Sequence, residues 1–309
     1  MDRRGQVAAD ENHVLSAALG RPRRACYRTE MLAQSPSRSL APLGLSPEGG
    51  RTLVMGIVNV TPDSFSDGGQ FLEGARALEH ARRLVAEGAD VLDIGAESTR
   101  PYGGAQPVSF DEELARLSPV FPAVLTLGIP VSIDTIKAPI AAWAIEQGAA
   151  IVNDVWGLQR DPDMARVVAD GAATVIVMHN REKADGAIDI VTDVKEFFAR
   201  SLEIAARAGI ARERIVLDPG VGFGKTPEQS VTVIARFGEF RSFGLPLMIG
   251  LSRKRFIDTI SPAPPDKRLG GSIAGNVLAV LAGADIVRVH DVADSVQALR
   301  VAAAVRSAR

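Results

Sequence analysis

The sequence has a single cysteine, Cys26, so no intrachain disulfide framework holds the chain together. Its four histidines, His13, His80, His179 and His290, are far apart, which excludes the close spacing of a zinc site. No uninterrupted apolar run approaches the roughly 20 residues needed to cross a bilayer. A basic surplus is also missing: 35 Lys and Arg stand against 37 Asp and Glu, for a net charge of −2. That balance argues against a general nucleic-acid or anionic-membrane binder. These absences point to a cytoplasmic protein with a small-molecule partner, no nucleic acid and no membrane. What is present is 309 residues, 46% of them apolar, enough for a large core in one or two domains. Neither disorder nor a coiled coil fits that composition.

Residues 1–50 differ from the rest, with seven Arg, no Lys, a Ser/Pro/Gly-rich stretch and no sustained period. They read as a poorly ordered extension; their acidic residues are wrong for a transit peptide, and Val14 to Leu19 is too short for a signal-peptide core. From Arg51 to Arg309 an apolar strand, a polar loop and an amphipathic helix alternate repeatedly. Strands are expected at 52–58, 90–95, 130–134, 150–153, 173–178, 214–218, 245–250 and 285–289. Four Gly-Ala junctions, at 88–89, 148–149, 171–172 and 283–284, place Gly just past a helix, where a left-handed cap is cheap. Eight strands interleaved with helices predict a parallel (β/α)8 TIM barrel. An open doubly wound sheet is the second reading, but the place of its phosphate-binding Gly-x-Gly-x-x-Gly holds Asn59-Val-Thr-Pro-Asp-Ser64.

In such a barrel the C-terminal ends of the strands converge on one site. Those ends carry Asn59, Asp93 with Glu97, Asp134, Asn153-Asp154, Met178-His179, Asp218, Ser252-Arg253-Lys254, and Arg288 with His290. Each alone is compatible with a helix cap or a turn, but polar residues ending nearly every strand point to chemistry. The stretch Asp218 to Thr226 is not a P-loop, because Pro219 occupies the position of the first Gly. It reads instead as a flexible loop carrying Phe223 over a pocket. Asp218 at its base suits an amino-and-ring-NH edge of the kind a pterin or guanine presents, with Asn153 and Asp134 able to complete it. Arg288 and His290 share one face of the last strand, near a following helix N-terminus, and suit a phosphate. His179 has nothing beside it that suggests a ligand. Gly68-Gly69 and Gly103-Gly104 suggest mobile first and second loops, the second closing over substrate.

With these residues in place, the chain from about Thr52 to Ala308 resembles the dihydropteroate synthase family. Seven motifs recur in the family's order: Asn-Val-Thr-Pro-Asp-Ser-Phe-Ser-Asp-Gly-Gly from Asn59, Glu-Ser-Thr-Arg-Pro from Glu97, Ser-Ile-Asp-Thr from Ser132, Val-Asn-Asp-Val-Trp-Gly from Val152, Leu-Asp-Pro-Gly-x-Gly-Phe-Gly-Lys from Leu217, Ser-Arg-Lys from Ser252 and Arg-Val-His-Asp from Arg288. The resemblance implies a (β/α)8 homodimer that condenses 6-hydroxymethyl-7,8-dihydropterin diphosphate with 4-aminobenzoate, releasing diphosphate, in folate biosynthesis. It further implies that Asp134, Asn153, Asp218 and Lys254 hold the pterin. Arg288, His290 and Asn59 would bind diphosphate, Asn59 also contacting Mg²⁺. Phe65, Thr99, Arg100, Pro101 and Phe223 would form the aminobenzoate pocket, the site at which sulfonamides would act. Asp134, Lys254, Arg288 and His290 are the implied catalytic set.

Two positions depart from the family pattern. Tyr102-Gly103-Gly104 lengthens the second loop, and Arg255 stands where some members have a Ser that contacts the aminobenzoate carboxylate. Pairing with that carboxylate and facing solvent are both open to Arg255. Two other functions compete. A corrinoid-linked pterin methyltransferase is disfavoured, since a methyl donor brings no diphosphate for Arg288 and His290. An inactive pterin-binding paralogue would be marked by degraded loops, whereas both loop motifs are intact.

Overall fold

The computed structural model describes residues 51–60, 69–97 and 108–308. Eight strands line up in parallel: β1 (Leu53–Asn59), β2 (Val91–Gly95), β3 (Val131–Asp134), β4 (Ile151–Asp154), β5 (Thr174–Met178), β6 (Ile215–Asp218), β7 (Met248–Ile249) and β8 (Ile286–Val289). Their order is β6-β5-β4-β3-β2-β1-β8-β7, and a bridge between Leu217 and Leu247 brings β6 to β7 and closes the ring. This is the predicted TIM barrel, and the period-two alternation within each strand divides its core in two. Leu53, Met55, Val91, Ile151, Ile176, Val216, Met248 and Ile286 fill the interior toward the N-terminal ends of the strands. Their sequence neighbours, among them Val54, Leu92, Val152, Val175, Leu217 and Val287, face outward into the larger core beneath the helices.

The helices described are α1 (Gly69–Ala86), α2 (Phe110–Leu117), α3 (Phe121–Leu125), α4 (Ala138–Gln147), α5 (Met164–Asp170), α6 (Ile190–Ala208), α7 (Pro227–Ala235), α8 (Arg255–Ile260), α9 (Leu269–Leu281) and α10 (Val292–Ser307). Local chemistry sets their ends. Asp189 caps α6 by accepting from the Val191 and Thr192 amides, and Gly209 ends it at φ +83°. Thr226 and Gln229 form a reciprocal capping box on α7, with Pro227 at its first turn. On α6, Ile190, Val191, Val194, Phe197, Phe198, Ser201 and Ala205 are buried at helical spacing, so one stripe packs on the barrel.

Seven strands fall within one residue of their expected bounds, but β7 contracts from 245–250 to Met248–Ile249. Pro246 has no N–H to give the ladder, although its carbonyl still accepts from Leu217 at 2.9 Å. Three Gly-Ala junctions behave as expected, with Gly88, Gly148 and Gly283 all at φ near +100° to +116°. The fourth does not. Gly171 stays right-handed and Ala172 takes the positive φ of +51°. A Cβ on Gly171 would lie 2.6 Å from Ile145 Cγ2, so this glycine serves the close approach of α5 to α4. Gly69 is likewise not a loop hinge but the first residue of α1. The expected extension, Met1 to Gly50, lies outside the described residues, as do Gly68 and the loop containing Gly103-Gly104.

Candidate active site

The period-two alternation that fills the lower barrel with aliphatics places polar side chains in the same inward register one step higher. Asp93 follows Val91 on β2, Asn153 follows Ile151 on β4, Asp218 follows Val216 on β6, and Arg288 follows Ile286 on β8. Asp134 joins them from β3, beside Gly95, where an added Cβ would lie 3.2 Å from the Asp134 Cβ. The carboxylates and the amide are almost fully enclosed: Asp93 is 0% exposed, Asn153 2%, Asp218 3% and Asp134 7%.

Arg288 ties this cluster together. Its Nε donates to Asp93 Oδ2 at 2.5 Å and its terminal nitrogen to Asp134 Oδ2 at 2.7 Å. Asn153 Nδ2 donates to the same Asp93 oxygen at 3.0 Å. Among the described residues, three buried oxygens of the network, Asp93 Oδ1, Asp134 Oδ1 and Asn153 Oδ1, find no hydrogen-bond partner, and neither does Ser132 Oγ. Unpaired buried acceptors are costly, so a group of them at a barrel mouth is an arrangement awaiting donors. Burial pushes the Asp134 carboxyl up to about 7 even against the neighbouring Arg288 charge. Asp218 is also raised by burial, against the pull of Lys254.

A second group stands across the mouth. Asp218 Oδ1 accepts from the Gly220 amide at 2.7 Å and so shapes the loop that follows β6. Lys254, the residue before α8, donates to the Val221 carbonyl at 2.5 Å and lies 4.8 Å from the centre of the Phe223 ring. His290 is partly buried beyond β8, its backbone N donating to Ser252 Oγ at 3.2 Å and its Nδ1 2.9 Å from the same oxygen. Two residues later α10 begins at Val292, so the expected helix N-terminus is there. Asn59 is exposed at the end of β1.

Several expectations need adjustment. The loop carrying Phe223 is anchored rather than free: buried Lys225 donates to the carbonyls of Gly220, at 2.8 Å, and Phe223, at 3.1 Å. His179, beside which the sequence suggests no ligand, meets protein groups: it is 2.6 Å from the Lys225 nitrogen and 2.9 Å from Asp193. Asp154 turns away to hold the Trp156 and Leu158 amides, at 2.9 and 2.6 Å, a structural role. Asp93 was visible as a strand-end carboxylate, yet its bond to Arg288 spans 195 positions and left no local signal. Glu97 accepts from Lys137 and, at 3.2 Å, from the Val108 amide; Lys137 also reaches buried Glu113 at 2.6 Å, tying β2 and β3 to α2. Arg255 is exposed at the start of α8. Phe65, Thr99, Arg100, Pro101 and Tyr102 lie outside the described residues.

A ring of buried acceptors, a bridging arginine and a lysine over an aromatic ring gather at the C-terminal mouth of a parallel barrel, an arrangement whose chemistry suits a flat, donor-rich heterocycle. Residues 55–290 match the family model described as pterin binding enzyme. The chain is 45% identical to the dihydropteroate synthase of Bacillus subtilis, over 78% of this chain and 84% of that one. It is 40% identical to the Escherichia coli K12 enzyme of the same name, over 83% and 92%. The crystal structure of a dihydropteroate synthase from Clostridium difficile, determined in the presence of pteroic acid, superposes with a TM-score of 0.79 at 48% identity, covering 82% of this chain and 97% of that one. The Xanthomonas albilineans enzyme with 4-aminobenzoic acid gives 0.79 at 43% identity, over 83% and 94%. The chain therefore belongs to the dihydropteroate synthase family, transferases of folate biosynthesis.

Proposed function

We propose that the barrel mouth joins 6-hydroxymethyl-7,8-dihydropterin diphosphate to 4-aminobenzoate, giving 7,8-dihydropteroate and diphosphate. The observation that carries the assignment of the pterin site is the set of unpartnered buried oxygens on Asp93, Asp134 and Asn153. The amino and ring N–H groups of a dihydropterin are the donors such oxygens lack. Asp134, Asn153, Asp218 and Lys254 hold the ring. Arg288 uses two N–H groups on Asp93 and Asp134, and its outer edge, with His290 and Asn59, takes the diphosphate.

In the reaction the bond between the pterin methylene carbon and the diphosphate oxygen breaks, and the arylamine nitrogen bonds to that carbon and releases a proton. Arg288 and His290 offset charge on the departing diphosphate. The carboxylate of Asp134, close to its own pKa at neutral pH, favours cationic character on the pterin as the bond loosens. Positioning of the arylamine falls to Phe223 and to Phe65, Thr99, Arg100 and Pro101. Sulfonamides would compete for that pocket. Arg255, exposed and near Lys254 in sequence, is compatible with pairing the aminobenzoate carboxylate.

Mg²⁺ fits this donor set. No cluster of three or more His, Cys, Asp or Glu side chains suited to a metal occurs among the described residues. Mg²⁺ needs none, because it keeps several waters and takes few protein oxygens besides phosphates, and Asn59 offers a hard amide oxygen at the exposed end of β1. When bound, it would neutralise the diphosphate.

The homodimer we assign to the α9/α10 face. Leu278, Leu281, Val301 and Val305 are each more than half exposed on these two packed helices, an apolar stripe that a second copy would cover. The barrel domain begins at Arg51, with residues 1–50 as an extension. No helix among the described residues is long and apolar enough to cross a membrane, and we place the protein in the cytoplasm beside its substrates. No observation favours the inactive paralogue.

Diphosphate release by the purified chain with Mg²⁺ and the pterin diphosphate, with and without 4-aminobenzoate, tests the reading. Arylamine-dependent release with dihydropteroate formation is expected, and Lys254→Ala should lower it about 100-fold while the barrel stays folded. Pterin binding without turnover would overturn it.

A further inference from the structure

The loop from Pro219 to Gly224 has little conformational preference of its own. Gly220, Gly222 and Gly224 sit at φ +62°, +84° and +54°, where glycine is nearly indifferent. Something else must hold the loop in one shape. It lies flat on the segment after β5: a Cβ on Gly220 would meet the His179 carbonyl oxygen at 1.9 Å, and one on Gly224 would meet Arg181 at 2.5 Å.

The holding group is Lys225, 1% exposed. Its Nζ donates to Gly220 O at 2.8 Å and to Phe223 O at 3.1 Å, and lies 2.6 Å from His179 Nδ1. Three acceptors match the three N–H groups of an ammonium. His179 is kept neutral, its pKa pushed down to about 4 by burial and by the Lys225 charge. Nδ1 therefore accepts, and Nε2–H donates to Asp193 Oδ2 at 2.9 Å. The other Asp193 oxygen takes Arg181 at 2.7 Å, so a chain of charge-assisted bonds runs from the loop to α6. Burial pushes the Lys225 ammonium well below the usual lysine range; Asp218 opposes that shift, Lys254 adds to it, and Asp193 and Arg181 act more weakly.

We propose that Lys225 is a positioning residue for the reaction, fixing the 219–224 loop so that Val221 O and the Phe223 ring in turn place Lys254. The two carbonyls it grips flank Val221 and Gly222. Val221 O is the acceptor for Lys254 Nζ at 2.5 Å, and Phe223 lies under the same ammonium at 4.8 Å. An apolar side chain would fill the space with less desolvation but would leave both carbonyls unheld. The inference rests on the roles given above to Lys254 and Phe223.

Its test is a double-mutant cycle in steady-state turnover, with Lys225→Met and Lys225→Arg made in the parent and in Lys254→Ala backgrounds, alongside thermal melts. Parent turnover and its loss in Lys254→Ala establish the reading on which the inference rests. Lys225→Met is expected to lower kcat/KM about 10- to 100-fold in the parent and less than about threefold when Lys254 is absent, while its Tm loss is the same in both. Lys225→Arg keeps the charge but presents a planar fork, and should fold well with a smaller loss of the same pattern. Equal fold-losses in both backgrounds, or wild-type kcat/KM in folded Lys225→Arg and Lys225→Met, would overturn the positioning role. Failure of the parent to turn over would instead sink the assigned reaction.

Discussion

Asp134→Asn should make the protein more stable at alkaline pH and worse at binding pterin. The wild-type carboxyl is raised from 3.8 to about 7, chiefly by burial, with Arg288 lowering it and Asp93 raising it. Between those values the folded chain keeps a proton that the unfolded chain has released. The stability this group contributes is therefore complete below pH about 4 and is lost as pH rises through about 7. At about 1.4 kcal/mol per pH unit, the loss reaches about 4 kcal/mol by pH 8. An amide of the same shape does not titrate, and its oxygen can accept the Arg288 hydrogen bond now made at 2.7 Å. The weaker bond to a neutral acceptor shifts the variant's stability equally at every pH, so between pH 4.5 and pH 8.5 the variant should gain about 3 kcal/mol on the wild type. Asp154, raised to about 6 by burial, titrates in both proteins and cancels. Urea unfolding across that range measures the gain. Calorimetric titration with a pterin measures the cost, since the unpartnered Oδ1 becomes a donor: a bond to a charged group is worth about 1.5 to 3 kcal/mol, or about 10- to 150-fold in affinity. A stability difference that does not change with pH would refute the reasoning, because Asp134 would then not be a strained buried carboxylate.

Two other substitutions probe the frame around the site. Gly220→Ala puts a Cβ 1.9 Å from the His179 carbonyl oxygen at φ +62°, so about 3 kcal/mol or more of stability should be lost; a wild-type melting curve would contradict that contact. Leu281→Glu with Val305→Glu should convert a dimer to monomers in sedimentation while leaving the circular dichroism unchanged. A dimer that survives both charges would remove the α9/α10 face from consideration.

Much of the barrel was legible because its signals are local. An apolar run of strand length, a polar residue at its end and a glycine past the next helix are set by neighbours in the chain, and seven strands fell within one residue of their expected bounds. Where two local demands met on one residue the outcome was not legible. Gly171 serves packing against Ile145 and leaves the left-handed turn to Ala172, while Pro246 ends the β7 ladder inside a run that reads as one strand.

The inward carboxylates and cations were likewise visible one by one at the strand ends, and their motifs identified the family. Which of them touch was not. Arg288 meets Asp93 and Asp134 across 195 and 154 positions, and Lys225 meets His179 across 46. Barrel closure sets those distances, through the stagger between strands rather than through any spacing along the chain. The sequence by itself determined the alternation of elements and the residue types at the mouth, since both follow from periodicity and backbone preference. Only the tertiary structure decided which oxygens are left without donors and which lysine is buried to hold the loop, because burial and hydrogen-bond partnership belong to side chains brought together after the ring has closed.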